Sequence, residues 1–512
     1  MAADTLPTRR GLYRLHRWAA LGLGYLALVV FFSGTVAVFS DALDAWADRG
    51  GAEVDLAELA ASGRLDALVA DATARVDPGR AGSLTVETWG RSRMRLRVYD
   101  ADDTLRLSQL VDAAGVVLGT RVGDPAEAHS SPNALAIGRF LRDLHVDLLL
   151  PSALGLFVTG IVGAALLLLL VTGAMVAWPR RRRLLSGLRT RSLRVWLGDG
   201  HGALGLLSAP FLFVVTWSGV VLSLSFALLA LALGLVASVD EASITAELRP
   251  QVTVRPGAAV APLGPLVVDA QRRSATSVGS LSQRRGDEGG AELFVHTARP
   301  GWRLSTQTYL YDAHRGALRW QGRDVGVGHE ESAGSALIAL THALHEGNLA
   351  GVPTRWAWFV FGLLTSGLFA SGAAIWALRR EGQRRAPGAA ITGTLGLPFA
   401  LLLVPLAWAL AAGLGWTPGP TLAAAFVGGA LLSAGLGLRL PLARALRVLF
   451  ALTGVAALAI PPAGYLATGL GSWHLGAAFG VDLVLVALAV GFLALTLRPP
   501  RLPAMAREVE AT

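Results

Sequence analysis

The sequence predicts a polytopic α-helical membrane protein of about eight spans, with two small external α+β domains set in an internal duplication of span, domain and span. Three observations predict it. Eight apolar runs are long enough to cross a bilayer, two long polar segments alternate like strands, and residue spacings match between the two halves of the first 380 residues.

The apolar runs come first. Of 512 residues, 53% are hydrophobic and 16% charged, and the mean hydropathy is +0.51. A span needs about 20 predominantly apolar residues. Eight runs meet this: 19–40, 153–178, 203–237, 356–378, 394–415, 421–438, 445–469 and 476–497. The net charge is +9 and there is no Lys, so all the basic charge is Arg. The Arg residues crowd beside the spans rather than forming a nucleic-acid face. Arg9, Arg10, Arg14 and Arg17 precede span one, Arg180–Arg183 follow span two, and Arg379 and Arg380 follow span four. Arg439, Arg444 and Arg447 separate spans six and seven, and Arg498, Arg501 and Arg507 follow span eight. With eight spans all these segments fall on one side, so both termini are expected in the cytoplasm of a bacterial inner membrane. There is no Cys, which excludes disulfides, zinc–thiolate sites, iron–sulfur clusters and Cys nucleophiles. No cleavable signal peptide is evident before the first span.

These signals divide the chain as 10–40 (span one), 41–140 (external domain), 141–179 (span two), 180–200 (Arg-rich cytoplasmic loop) and 201–238 (span three). There follow 239–340 (second external domain), 341–379 (span four), 380–393 (cytoplasmic loop), 394–497 (four additional spans) and 498–512 (cytoplasmic tail). In the first external segment Met94–Tyr99 alternates, and Gln109–Asp112 leads through Gly115 into Val116–Leu118. In the second, Thr308–Asp312 leads through Gly316 into Ala317 and Leu318. Strand, Asp, Gly, strand reads as a β-hairpin.

The repeat then places histidines. Eighteen residues separate His16 from Gly34, and eighteen separate His201 from Gly219. Leu144–His145 precedes a span ending in Thr172–Gly173, and Leu344–His345 precedes one ending in Ser371–Gly372. A parallel repeat brings equivalent positions together about a pseudo-twofold axis along the membrane normal. His16 then faces His201 near the cytoplasmic surface, and His145 faces His345 near the external one. Histidine is scarce and costly in a bilayer, and neutral imidazole is a good iron ligand. Two b-type haems, each with two axial imidazoles, are therefore expected, with His16, His201, His145 and His345 on the irons. His342, three residues before His345, is an alternative ligand. Arg14, Arg17, Arg142 and Arg355 flank these positions and could pair with haem propionates or with lipid headgroups. Ser33–Gly34, Ser218–Gly219 and Ser371–Gly372 would let helices or a flat porphyrin approach closely. His129, His296, His314, His329 and His474 are expected outside the spans, and Asp482 near the external end of span eight. Gly200–His201–Gly202–Ala203–Leu204–Gly205 matches a dinucleotide fingerprint, but no strand precedes it. Electrons must then come from a cytoplasmic reductant or a membrane quinol.

The stretches Leu15–His16–Arg17–Trp18, Leu144–His145, Gly200–Gly205 and Leu344–Gly351 resemble the PepSY-associated transmembrane family. The hairpins Val111–Gly119 and Tyr311–Gly316 resemble the signature of PepSY domains, with Ala113 and Ala313 where Pro is usual. The resemblance covers about residues 10–380, so the last four spans are a departure from the family core. It implies periplasmic PepSY-like domains and a siderophore-reductase-like oxidoreductase, in which electrons reach a periplasmic ferric siderophore or a redox protein and iron is released for uptake. Two other classes compete: a membrane anchor whose PepSY domains regulate or inhibit a peptidase, and a transporter. No nucleic-acid partner is expected; the lipid bilayer is the surrounding solvent.

Overall fold

The computed structural model describes residues 9–48, 52–76, 81–89, 92–100, 104–122, 136–235, 261–285, 291–297, 307–323, 333–380, 385–416, 418–468 and 477–497. His129, His329, His474 and the C-terminal tail lie outside them.

In chain order the helices are α1 (Arg9–Ala37), α2 (Ser40–Ala47), α3 (Leu56–Ala61), α4 (Arg64–Arg75), α5 (Ala136–Val146), α6 (Ser152–Ala177), α7 (Arg181–Ser186), α8 (Leu193–Leu235) and α9 (Leu263–Ser274). They continue as α10 (Ala333–Glu346), α11 (Val352–Leu378), α12 (Arg385–Leu395), α13 (Leu397–Leu414), α14 (Pro418–Arg439), α15 (Leu442–Thr468) and α16 (Ala477–Leu497). Eight of them are long and apolar enough to cross a membrane. The chain divides into two compact units. One holds residues 1–47, 136–229 and 353–512, the other residues 48–135 and 230–352.

The helical unit obeys the rule that backbone polar groups in lipid must bond within the element. Hydroxyls inside its helices follow suit by bonding the carbonyl one turn back: Ser33 to Val29, Thr172 to Leu168, Ser218 to Val214, Thr365 to Phe361 and Thr453 to Leu449. The third span begins ten residues earlier than its apolar run, at Leu193. Charge at Arg194 and Asp199 masks that turn in the sequence. Asp199 is buried and bonded by the guanidinium groups of Arg183 and Arg189, which ties the Arg-rich loop to α8. The fingerprint at 200–205 is continuous helix, so no strand-to-helix phosphate turn exists there.

The sheet unit holds eight antiparallel strands: β1 (Ala81–Trp89), β2 (Arg93–Asp100), β3 (Leu105–Asp112), β4 (Val117–Val122), β5 (Val278–Arg285), β6 (Ala291–Thr297), β7 (Gln307–Asp312) and β8 (Ala317–Arg323). Their order is β4-β3-β2-β1-β5-β6-β7-β8. The strands of the two polar segments therefore share one sheet, joined where β1 pairs β5 from Ser83 opposite Arg284 to Glu87 opposite Ser280. Alternate burial along β2 and β6 gives the sheet one apolar face. Leu56, Leu65, Leu266 and Val267 from α3, α4 and α9 pack on it with Val86, Leu96, Leu107 and Leu293. Both expected hairpins form. Asp112 accepts the amides of Ala114 and Val116 ahead of Gly115 at φ +81°, and Asp312 accepts those of His314 and Arg315 ahead of Gly316 at φ +66°. Glycine tolerates this left-handed turn without a Cβ penalty.

Candidate functional site

His16 on α1 and His201 on α8 meet inside the helical unit. Their ring centroids are 6.3 Å apart and the ring planes cross at 79°. Each ring is held from behind by a neighbouring helix. Nδ1 of His16 lies 3.1 Å from the carbonyl oxygen of Leu169 and 3.1 Å from the Thr172 hydroxyl on α6. Nδ1 of His201 lies 3.1 Å from the carbonyl oxygen of Leu368 and 3.0 Å from the Ser371 hydroxyl on α11. A carbonyl can only accept, so Nδ1 carries the proton and donates. Neutral imidazole then keeps its lone pair on Nε2, the arrangement that orients a metal-ligating histidine.

The close approach depends on glycine. A Cβ added to Gly173 would come within 3.0 Å of His16 Cε1, and one added to Gly372 within 3.3 Å of His201 Cε1. In each case the accepting carbonyl stands four residues before the glycine and the hydroxyl one residue before it. The same pattern recurs around His145 on α5. Its Nδ1 lies 2.8 Å from the carbonyl oxygen of Val30 on α1, and Gly34, four residues on, faces the ring. Along α1, Val30 is fourteen residues beyond His16, about 21 Å at 1.5 Å per residue. The two histidine levels therefore fit within a hydrocarbon layer about 30 Å thick.

A metal–imidazole bond is about 2 Å long and a ring nitrogen lies about 1.1 Å from the centroid, so two imidazoles on opposite faces of one metal have centroids about 6 Å apart. The His16–His201 spacing satisfies this. Among the described residues, no group of three or more His, Asp or Glu side chains could hold a metal ion. A metal between His16 and His201 would need its remaining ligands from a macrocycle rather than from the described side chains.

The other expected residues are distributed as follows. Arg14 and Arg17 line a cleft of about 640 Å³ with Arg10, Tyr13, Val176 and Arg180, at the end of the helical unit where α1 begins. Arg142 lies 3.8 Å from Asp44, and Arg355 lies 3.6 Å from Asp41, so each has a carboxylate neighbour within the protein. His342 and His345 lie on α10, in the sheet unit, and His342 stands 3.9 Å from Glu346. His296 bonds Thr308 across β6 and β7, and His314 sits in the Asp312 turn. The sequence reading missed the carbonyls of Leu169, Leu368 and Val30 as histidine partners. The Ser/Thr–Gly pairs that marked the repeat were their signal. It also missed Asp44 and Trp46, for which no pattern in the sequence gave notice.

Fold and site together define a membrane protein whose described residues include eight helices long and apolar enough to cross a bilayer, with the imidazoles of His16 and His201 paired between two of them. The chain belongs to the PepSY-associated TM region family, whose sequence profile matches residues 13–379. The match ends with α11, so α12–α16 extend the family region. No curated protein matches the chain at a significant level.

Proposed function

We propose that this protein is a di-haem b-type electron carrier of the bacterial inner membrane, both termini cytoplasmic, that reduces periplasmic ferric chelates for iron uptake. The observation that carries the proposal is the His16–His201 pair, 6.3 Å between centroids, with each Nδ1 anchored to a backbone carbonyl so that the lone pair is left on Nε2. His16 and His201 would hold one haem. By the repeat spacing, His145 with His345, or with His342, would hold the other. Haem ligated on both faces supplies outer-sphere, one-electron transfer with no open coordination position.

The protein's own residues supply the rest. The backbone carbonyls of Leu169, Leu368 and Val30 fix ring orientation and tautomer. The apolar spans exclude water and ions. Arg14 and Arg17 would take the propionates of the inner haem. The two four-stranded halves of the sheet unit, each led by helices and each with an Asp–Gly hairpin, fit a pair of PepSY-like domains produced with the spans by internal duplication. They would present the acceptor, a ferric siderophore or a periplasmic redox protein. Reduction weakens binding of iron by hard oxygen donors, so ferrous iron leaves the chelate. A cytoplasmic reductant or a membrane quinol would be the donor.

The test is the absorption spectrum of the purified protein, oxidised and reduced. Low-spin haem bands that fall by about half in His16→Ala, in His201→Ala and in His145→Ala support the reading, because each of two sites contributes equally. A colourless protein from haem-replete cells overturns it and leaves a membrane anchor for a peptidase regulator.

A further inference from the structure

The α12–α16 extension lies beyond the family match, yet it reaches the helix that carries His145. Asp482 on α16 is buried within an apolar span. An intramembrane carboxylate is costly and needs a reason. Its Oδ1 accepts the indole N–H of Trp46 at 2.8 Å and its Oδ2 accepts the hydroxyl of Tyr465 on α15 at 3.1 Å. Trp46 is only 1% exposed and its ring lies 5.9 Å from Trp408 of α13. Two residues back on the same short helix, Asp44 accepts the backbone N–H of Gly138 at 2.8 Å and pairs with Arg142. Both of these belong to α5. Gly138 has no Cβ to hold the carboxylate away. The far side of α5 packs on the extension directly, through Phe140 against Phe426 and through Ile137, Leu141 and Leu144 in one apolar cluster with Leu401, Val404 and Leu422.

We propose that Asp482 is a positioning residue for His145, acting through Trp46 and Asp44, and that the α12–α16 extension is the bracket that fixes α5. The role for an electron centre rests on the di-haem reading above. Without the bracket α5 would be held by α1, by its own short connection to α6 and by an α2 no longer anchored through Trp46. With it, the imidazole of His145 is pressed between a fixed helix and the Val30 carbonyl, so its angle and basicity as a ligand are set from the extension.

Full-length protein in lipid nanodiscs is compared as wild type, Trp46→Phe and Tyr465→Phe, by hydrogen–deuterium exchange and by redox titration of the haem bands. Trp46→Phe keeps an aromatic side chain but deletes the indole N–H donor across the joint together with part of the ring's volume, so α5 amides are expected to exchange about ten-fold faster. α11 amides should stay unchanged, and the midpoint potential of one haem of the two should shift. Tyr465→Phe deletes a donor within the extension and is expected to change α5 exchange less than about two-fold. Unchanged α5 exchange in Trp46→Phe, or equal acceleration in Tyr465→Phe, overturns the bracket. Faster exchange with both potentials unmoved overturns the positioning role. A colourless wild type sinks the di-haem reading and the role of Asp482 with it, a result distinct from unchanged exchange in a coloured protein.

Discussion

Gly34 stands against the imidazole of His145, so that a methyl group on its Cα would come within 2.5 Å of Cε1 and 2.6 Å of Nδ1. The ring is itself bonded to the Val30 carbonyl one turn below and cannot retreat without losing that bond. Gly34→Ala is therefore expected to tilt the ring, cost about 1–3 kcal/mol of stability through overpacking, and remove about half of the reduced haem absorbance. Gly372→Ala, where the same contact is 3.3 Å, should keep both sets of bands. Spectra of the two variants, normalised to protein, check the contrast.

The hydroxyls of Thr172 and Ser371 share the Nδ1 protons of His16 and His201 with backbone carbonyls. Ser371→Ala leaves the Leu368 carbonyl in place. Haem should be retained, with stability lowered by about 0.5–1.5 kcal/mol and the potential of one haem altered as the ligand loses part of its polarisation. Redox titration of the bands measures the shift; loss of that haem from Ser371→Ala would contradict it.

The Arg-rich loop between α6 and α8 is fastened by one carboxylate. Asp199→Asn removes the charge that holds Arg183 and Arg189. Both arginines are partly exposed and can turn to water, so the expected loss is about 2 kcal/mol rather than that of a fully buried pair. Trypsin should cut the variant within 181–194 several-fold faster than wild type, while the His16–His201 site still takes up haem.

Acid sensitivity of the sheet unit should trace in part to Asp312. Burial pushes its carboxyl up, but Arg319 and the amides of Arg315 and His314 outweigh this and hold it below the usual value of 3.8. A carboxyl lowered in the folded state stabilises above its unfolded value, and that contribution is lost as pH falls from about 3.8 through the lower folded value. Unfolding of the sheet followed by circular dichroism should show this loss below about pH 4 in wild type and a flatter profile in Asp312→Asn.

The spans could be read from the sequence because a bilayer demands an unbroken apolar run, and α13–α16 meet that demand in composition alone. The His16–His201 pairing was legible for a different reason: the two His-to-Gly intervals have equal length, and that spacing put the two histidines at matching positions. The partners behind the rings were not legible, since a carbonyl at Leu169 or Leu368 belongs to any residue. Nor was α2. Ser40–Ala47 carries two Asp in a stretch that reads as the start of an external domain at residue 41, yet Trp46 and Ala47 pack in the core of the helical unit. The partner of β1 was hidden as well, because a strand edge does not name the chain segment, some 190 residues on, that will cover it.

That junction bears on how the protein is made. β1 ends at Trp89 and the strand that completes its edge ends at Arg285. At about 5–20 residues per second, translation leaves the first half-sheet with an open hydrogen-bonding edge for roughly ten to forty seconds. Through that interval the nascent chain offers any passing strand the place reserved for β5, so folding helpers have their greatest use before the second half arrives.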